Sequence, residues 1–506
     1  MLSGGSASLA SKEYKTPIVF STKSIDMAPF TAWLPPSPNQ DFDLIVNIVG
    51  TTASALVKDW TLIAQSLIRR GLSVMTQRGR LDSVPGNFYL RIRISTRPFY
   101  SMGHGCDVLI HLNDTVPEFW RFGLQPGSVL LWEAPAEQRP YPILPEGVIG
   151  YSIPFEDLFV KHGEGLQGKG VAALGVLLHL LGVPDETLHR WTSSSSAPRS
   201  FASGIEFARR AIEKRDGYSL PMAAADARSG MMLSPEQAIL LGYAVSSCTC
   251  LTTCARELIA SPVQWTAKHL GIGEAMVSML ESDEHPEVQA YRGSQGKVLT
   301  LLRGDDSAIA SHLHGFRAPR IFLAADIPDT LRLLIAGHDL IRSGHSDGVG
   351  VLLEDTLALS HQTVEVSTLV DILGRRNLPG GNHVTASGQE ESAAAPERDG
   401  DAEADVGFVA WGATQGLVRD AVALCRGFGL KVAALYPKLI VPFRNEEMES
   451  FAHTVGRVVL VESGQTQGYW DRLRGGFSFE ATLLTPQPGM TLTPMDIFLR
   501  EGLGAV

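Results

Sequence analysis

The sequence predicts an α/β protein organised as three α/β domains. Three observations carry that expectation. Short apolar runs read as buried strands, among them "DLIVNIVG" (Asp43–Gly50), "RIFLAAD" (Arg320–Asp326) and "VGFVAWG" (Val406–Gly412). Each is followed by a segment with apolar residues at helical spacing. A Ser-rich stretch and a polar, charged one interrupt the alternation and read as linkers.

A chain of 506 residues exceeds what one core usually covers. Lys and Arg number 43 against 54 Asp and Glu, a net charge of −11. That balance disfavours a nucleic-acid partner, which calls for phosphate-neutralising cations, and gives no reason for an anionic membrane surface. The start, "MLSGGSASLASKEYK", lacks the basic and apolar regions of a secretory signal. The longest apolar run, Val171–Val183, is too short to span a bilayer and reads as a buried helix. Five cysteines do not make a disulfide framework, so a cytoplasmic protein is expected.

In chain order, residues 1–40 read as a disordered tail. The first domain, 41–190, opens with the Asp43–Gly50 strand and a helix with Leu56, Trp60, Ile63 and Leu67 on one face and Gly71 as its stop. "FYLRIRIS" then alternates with period two: Tyr89, Arg91 and Arg93 on one face, Leu90, Ile92 and Ile94 on the other. "CDVLIHLN" and "SVLLWEA" are further strands. The Ser-rich stretch within 191–217 is a predicted linker. The second domain, 218–373, contains "SPEQAILLGYAV", where Ser234 caps a helix with Pro235 in its first turn. It closes with a strand–helix–strand unit ending in "GVGVLLED". Residues 374–405 are polar and charged and are expected to be a disordered linker. The third domain, 406–506, repeats the strand–helix–strand order and includes "VVLVESGQTQGYW", where a strand ends at Glu462 before a patch of amides and glycines.

Several stretches together resemble the 2-oxoacid:ferredoxin (acceptor) oxidoreductases. Trp411, Gly412 and Ala413, then Lys438, Leu439, Pro442 and Phe443, resemble that family's transketolase C-terminal-like domain, as do Glu462, Gln465, Gln467, Leu473 and Arg474. "RIRISTRPFYS", "CDVLIHLN" and "LQPGSVLLWEA" resemble its γ domain, and "LSPEQAILLGYAV" its pyrimidine-binding α domain. The likeness spans roughly residues 44–190, 231–370 and 405–475. It implies a fused γ–α subunit with a shortened pyrimidine-binding domain, working with a separate β subunit. It also implies thiamine diphosphate with magnesium at the interface between the two subunits. Coenzyme A would be co-substrate and ferredoxin, or a similar acceptor, an indirect partner. The iron–sulfur cluster would sit in the β subunit, with none in this chain. The implied reaction is oxidative decarboxylation of a 2-oxoacid such as 2-oxoglutarate or pyruvate to an acyl-CoA, or the reverse.

The departures from that pattern are specific. Where the family has a Gly-x-Gly-Gly-Gln-Gly turn, this chain reads "VGTTASA". Gly50 and Thr51 are the candidate cofactor-binding residues there, with Thr52 and Ser54 adding hydroxyls that either bind an anion or cap the helix. Thr252 stands where the family threonine meets thiamine or the oxoacid, with both flanking prolines lost. Glu284 is the candidate catalytic carboxylate toward the thiamine pyrimidine, with Glu281 second, and either also reads as a solvated surface charge. The loop with the family's substrate arginine is missing. Cys248, Cys250 and Cys254 lie close together, but no fourth ligand is near and no metal site is expected. The altered turn and missing loop keep a second reading open: a non-catalytic scaffold or regulatory paralogue of the subunit.

Overall fold

The chain is an α/β protein, with three sheets among its described residues. Its computed structural model describes residues 42–51, 56–80, 88–113, 123–134, 143–160, 162–165, 167–221, 230–246, 250–253, 276–279, 298–303, 317–354, 357, 360–374, 395–442, 444–462, 478–486 and 491–502. The expected tail, 1–40, lies outside them.

Six strands of the first sheet are consecutive: β1 (Asp43–Gly50), β2 (Ser73–Arg80), β3 (Phe88–Ser95), β4 (Cys106–His111), β5 (Leu124–Glu133) and β6 (Ile149–Ile153). Two come from later in the chain, β7 (Gly230–Leu233) and β13 (Ser360–Glu365), and the order is β6-β5-β4-β1-β3-β2-β13-β7. β1 runs parallel to β4, as β4 does to β5 and β5 to β6; β3 is antiparallel to both β1 and β2. β1 is buried from Leu44 onward, as a central strand covered on both faces must be. In β3 the alternation holds: Leu90, Ile92 and Ile94 are buried, while Tyr89, Arg91 and Arg93 are half-buried.

Helix α1 (Val57–Ile68) buries Trp60, Ile63, Ala64 and Leu67, and Gly71 follows it at φ +85°. α2 (Phe155–Val160) and α3 (Gln167–Leu180) come after β6. The stretch expected as a linker, 191–217, is instead largely helical. α4 (Asp185–Ser194) buries Trp191, and α5 (Pro198–Ala211) buries Phe201, Ile205 and Ala208. Its serines are used inside the protein. Buried Asp59 of α1 accepts from Ser195 Oγ at 2.8 Å, Ser196 N at 2.7 Å and Ser196 Oγ at 2.5 Å. α3 and α5 cross closely through glycines: a Cβ at Gly204 would lie 2.0 Å from the Ala172 carbonyl oxygen, and one at Gly175 2.4 Å from that of Phe201. A serine run reads as solvated only when nothing distant accepts its hydroxyls.

The second sheet holds β8 (Cys250–Thr253), β9 (Met276–Met279), β10 (Val298–Arg303), β11 (Arg320–Leu323) and β12 (Gly348–Leu353). β17 (Leu439–Val441) joins from the last part of the chain, giving the order β17-β11-β12-β10-β8-β9. All pairings are parallel except β17 with β11. α6 (Pro235–Ser246) begins as read from sequence: Ser234 Oγ accepts from Gln237 N, and Gln237 Oε1 from Ser234 N. α7 (Ile327–Arg342) packs beside it, and α8 (Val366–Gly374) follows β13.

The third sheet, order β14-β16-β15-β18-β19, contains β14 (Glu397–Gly400), β15 (Ala404–Val409), β16 (Val432–Tyr436), β18 (Val455–Val461) and β19 (Ala481–Leu484). α9 (Thr414–Gly427) and α10 (Asn445–Ala452) accompany it. β14 corrects a second linker expectation. Within 374–405, residues 397–400 form an edge strand paired antiparallel with β16, while 375–394 lie outside the described residues.

The sheets do not follow the expected domain boundaries. Gln65 of α1 donates from Nε2 to Gly230 O at 3.3 Å and accepts Met232 N at Oε1 at 3.0 Å, fixing β7. The Thr363 hydroxyl of β13 accepts from Val74 N at 2.7 Å and donates to Val74 O at 2.8 Å, fixing β13 beside β2. Residues 42–506 accordingly cluster as one unit. Among the described residues no helix is long and apolar enough to cross a membrane.

Candidate functional site

Gly50 closes β1 at the carboxyl edge of the first sheet, beside the end of β4. Its φ is +152°, and a Cβ there would lie 2.8 Å from Leu112 Cβ and 3.0 Å from Asn113 Oδ1. The missing side chain thus makes room for the neighbouring strand's exit. Thr51 is exposed, and its N–H donates to Asn113 Oδ1 at 3.3 Å. Residues 52–55, with Thr52 and Ser54, lie outside the described residues.

Two strands away, Glu133 ends β5. Lys169 of α3 places Nζ 2.7 Å from Glu133 Oε2 and 3.2 Å from Glu156 Oε2. Burial pushes the Glu133 carboxyl up from its ordinary value, and the Lys169 contact pulls it back. This edge therefore presents a hydroxyl, an amide and an ammonium already matched by two carboxylates, not a bare-amide cradle. Sequence reasoning missed Asn113, Glu133 and Lys169; only the parallel order of β1, β4 and β5 brings them together.

Gly50→Ala is expected to destabilise the chain by about 2–4 kcal/mol, from positive-φ strain and overpacking against Leu112. Exposed Thr51→Ala should stay within about 0.5 kcal/mol of wild type. Urea unfolding of the two variants checks this, and equal midpoints would show that Gly50 is not needed for packing.

Thr252 lies within β8, paired to Thr300 of β10 and Ser278 of β9, so the structure places it on a central strand of the second sheet. Glu284 and Glu281 lie outside the described residues, as do Cys248 and Cys254. Among the described residues no group of three or more His, Cys, Asp or Glu is arranged to hold a metal ion. Buried Cys106 and Cys425 have thiols pushed up to about 12 and about 11 by desolvation.

The third-domain motifs are used on the protein itself. At the Trp411–Gly412–Ala413 turn, Gly412 has φ +53° and Ala413 N donates to Glu354 Oε2 at 2.8 Å. Lys438 reaches Asp329 Oδ1 at 2.8 Å, with side chains 14% and 3% exposed. Asp326 caps α7 by accepting from Asp329 N at 2.7 Å; burial, then Asp329, pushes its carboxyl up. Asp420 of α9 reaches back to Arg93 of β3 at 3.1 Å. Glu462, just past β18, is buried, and its N–H donates to Leu484 O at 3.0 Å; Gln465 and Gln467 lie outside the described residues.

The α/β fold of the chain is similar along most of its length to that of a solved oxidoreductase. Residues 62–214 match the family model described as pyruvate ferredoxin/flavodoxin oxidoreductase. In fold, the chain is similar to 2-oxoglutarate:ferredoxin oxidoreductase from Magnetococcus marinus, a structure with 2-oxoglutarate, coenzyme A and succinyl-CoA bound. That match has TM-score 0.73 and 19% identity, and it covers 92% of this chain and 100% of that one. The γ subunit of a keto/oxoacid ferredoxin oxidoreductase from Geobacter sulfurreducens matches at 20% identity, over 34% of this chain and 99% of that one, with TM-score 0.27. A pyruvate oxidoreductase subunit from Thermotoga maritima matches at 14% identity, over 32% and 96%, with TM-score 0.25. No curated protein matches the chain in sequence.

Proposed function

We propose that the chain is a fused γ–α subunit of a 2-oxoacid:acceptor oxidoreductase complex. With a thiamine- and iron–sulfur-bearing β subunit it would convert a 2-oxoacid to an acyl-CoA, or run the reverse, passing electrons to ferredoxin or a similar acceptor. The observation that carries this reading is the fold likeness along nearly the whole chain to the Magnetococcus marinus enzyme. The family match over 62–214 adds support from sequence. The ligands of that structure make 2-oxoglutarate and coenzyme A the first compounds to test.

In this reading coenzyme A approaches the carboxyl edge of the first sheet near Gly50 and Thr51. Thiamine diphosphate with magnesium lies against the second sheet at the β-subunit interface, where it would supply the nucleophilic carbon. Thr252 and Glu284 are the residues we assign toward its pyrimidine, Glu284 as the carboxylate that exchanges a proton with the ring. Glu281 is the alternative. No nucleic-acid or membrane partner enters this reading.

One observation favours the scaffold alternative. The space beside Gly50 is filled by Leu112 and Asn113, and the Thr51 N–H is already engaged, so this turn offers less to a phosphate than a glycine-rich one. Co-purification with a β subunit does not separate the readings. Oxoacid-dependent dye reduction by the assembled complex does. Activity that requires this chain and falls about 100-fold or more in Glu284→Gln, with assembly intact, supports the catalytic subunit. Equal rates with and without the chain, or in the variant, support the scaffold.

A further inference from the structure

Helix α5 has two faces of different fate. Phe201, Ile205 and Ala208 turn inward onto the first core. The opposite stripe runs from Arg199 to Ala211 and carries Ala202, Glu206, Phe207 and Arg210 at helical spacing. With Leu158 of α2 and His162 just after it, this stripe bounds an open groove of about 570 Å³. Phe207 and Leu158 are half-buried and supply its apolar part, while Ala202 and Ala211 are exposed. Small residues at these places leave room for another backbone to come close. The groove is bounded by helices and a turn, so it offers side chains and no strand edge with which an extended segment could pair. A helix is the element that fits it.

The charge of this face is opposite to that of the chain. From Arg199 to Asp216 five Arg and Lys accompany three Asp and Glu, whereas the whole chain carries −11. The acid in the groove lining, Glu206, is matched from its own helix: Arg209 Nη1 lies 3.2 Å from Oε2, and Arg210 Nε contacts Oε1. Arg209 also reaches Asp185 at 2.7 Å. Arg199 donates its backbone N–H to Glu164 Oε1 at 3.0 Å, and among the described residues its guanidinium makes no hydrogen bond or ion pair. Arg210 is 78% exposed, and an exposed pair such as Arg210–Glu206 is weak enough to be exchanged for another carboxylate. Arg199 and Arg210 stand three turns apart, about 16 Å along the axis. The groove thus presents an apolar stretch with a cation near each end. A second copy docked here by twofold symmetry would set like charge against like.

We propose that this groove docks an acidic amphipathic helix of a partner protein, its apolar face over Phe207 and Leu158 and its carboxylates toward Arg199 and Arg210. The surface does not depend on the oxoacid chemistry. The probe is a peptide of about 16 residues, long enough to hold a helix, with leucines on one face and glutamates on the other. Titrated against the full chain by fluorescence anisotropy, it should bind, and a counterpart with lysine in place of glutamate should bind at least tenfold more weakly. Ala202→Trp fills the groove from an exposed position. It and the double change of Arg199→Gln with Arg210→Gln should each weaken the acidic peptide at least tenfold, with far-UV circular dichroism as in wild type. If one of the two variants misfolds, the other decides. Absence of acidic-peptide binding at millimolar concentration overturns the assignment, as does equal binding of the lysine counterpart or wild-type affinity in a folded variant. So does either competing occupant. Concentration-dependent self-association that Ala202→Trp removes would place a second copy on this face, and co-sedimentation with phosphatidylserine vesicles that the same change removes would place a membrane there.

Discussion

Asp420→Ala should destabilise the chain by about 2–3 kcal/mol. The Asp420 carboxylate accepts from Tyr100 N at 3.2 Å, Ser101 N at 3.1 Å, Ser101 Oγ at 2.6 Å and Arg93 Nη1 at 3.1 Å. Arg93 and Asp420 are 13% and 15% exposed. Removing the carboxylate leaves the N–H and hydroxyl of buried Ser101 short of a partner, while the N–H of exposed Tyr100 can turn to water. Arg93 keeps Asp43, 2.6 Å away, and its place over Phe99, so it is not left as a lone buried charge. The same seam is tight at Gly416, where a Cβ would meet the Tyr100 carbonyl oxygen at 2.0 Å, so the strands around Arg93 and helix α9 cannot drift to find new partners. Asp420→Asn keeps one acceptor oxygen and should cost less. Urea unfolding of the three proteins checks the order wild type, Asn, Ala. An unchanged midpoint in Asp420→Ala would mean that this interface gains little from the contact.

The second large effect is a dependence on pH. His361 of β13 faces Thr76 of β2 across the strand pair that joins the middle of the chain to the first sheet. Burial, then the positive charge of Arg78, brings its imidazole down from 6.5 to about 4. The unfolded chain takes up the proton near pH 6.5, the folded one only near pH 4. The stabilising contribution of the neutral ring is therefore complete above pH 6.5 and is lost as pH falls from 6.5 to 4. At about 1.4 kcal/mol per pH unit, the whole window is worth about 3 kcal/mol. Glu133 and Asp420, whose carboxyls burial pushes up, act in the opposite sense, since their folded forms hold a proton more readily. The difference between wild type and His361→Gln isolates the histidine. The variant should lose less stability between pH 7 and pH 4.5, and parallel curves for the two proteins would show that His361 is not held neutral.

The sequence by itself determined what short-range pattern encodes. The apolar run of β1, the alternation of β3, the spacing of Trp60, Ile63 and Leu67, and the Ser234 cap are all present as read. Each depends on neighbours a few residues away, so the α/β class followed. At the candidate site, Gly50 was legible as a candidate cofactor-binding glycine at a strand's end, whereas the approach of Leu112 and Asn113 to it was not. Tertiary structure alone decided which polar groups are internal. Ser195 and Ser196 read as linker until Asp59, 136 and 137 residues earlier, accepts their hydrogen bonds. Asp420 on α9 meets Arg93, 327 residues earlier, a pairing that no local pattern announces. β7, β13 and β17 cross into sheets that the boundaries in the chain do not suggest, and Gln415 acquires its unmatched amide only where three sheets close around it. Whether a polar side chain is solvated or buried is set by what packs over it, and in this protein those partners lie hundreds of residues away, beyond the reach of any local pattern.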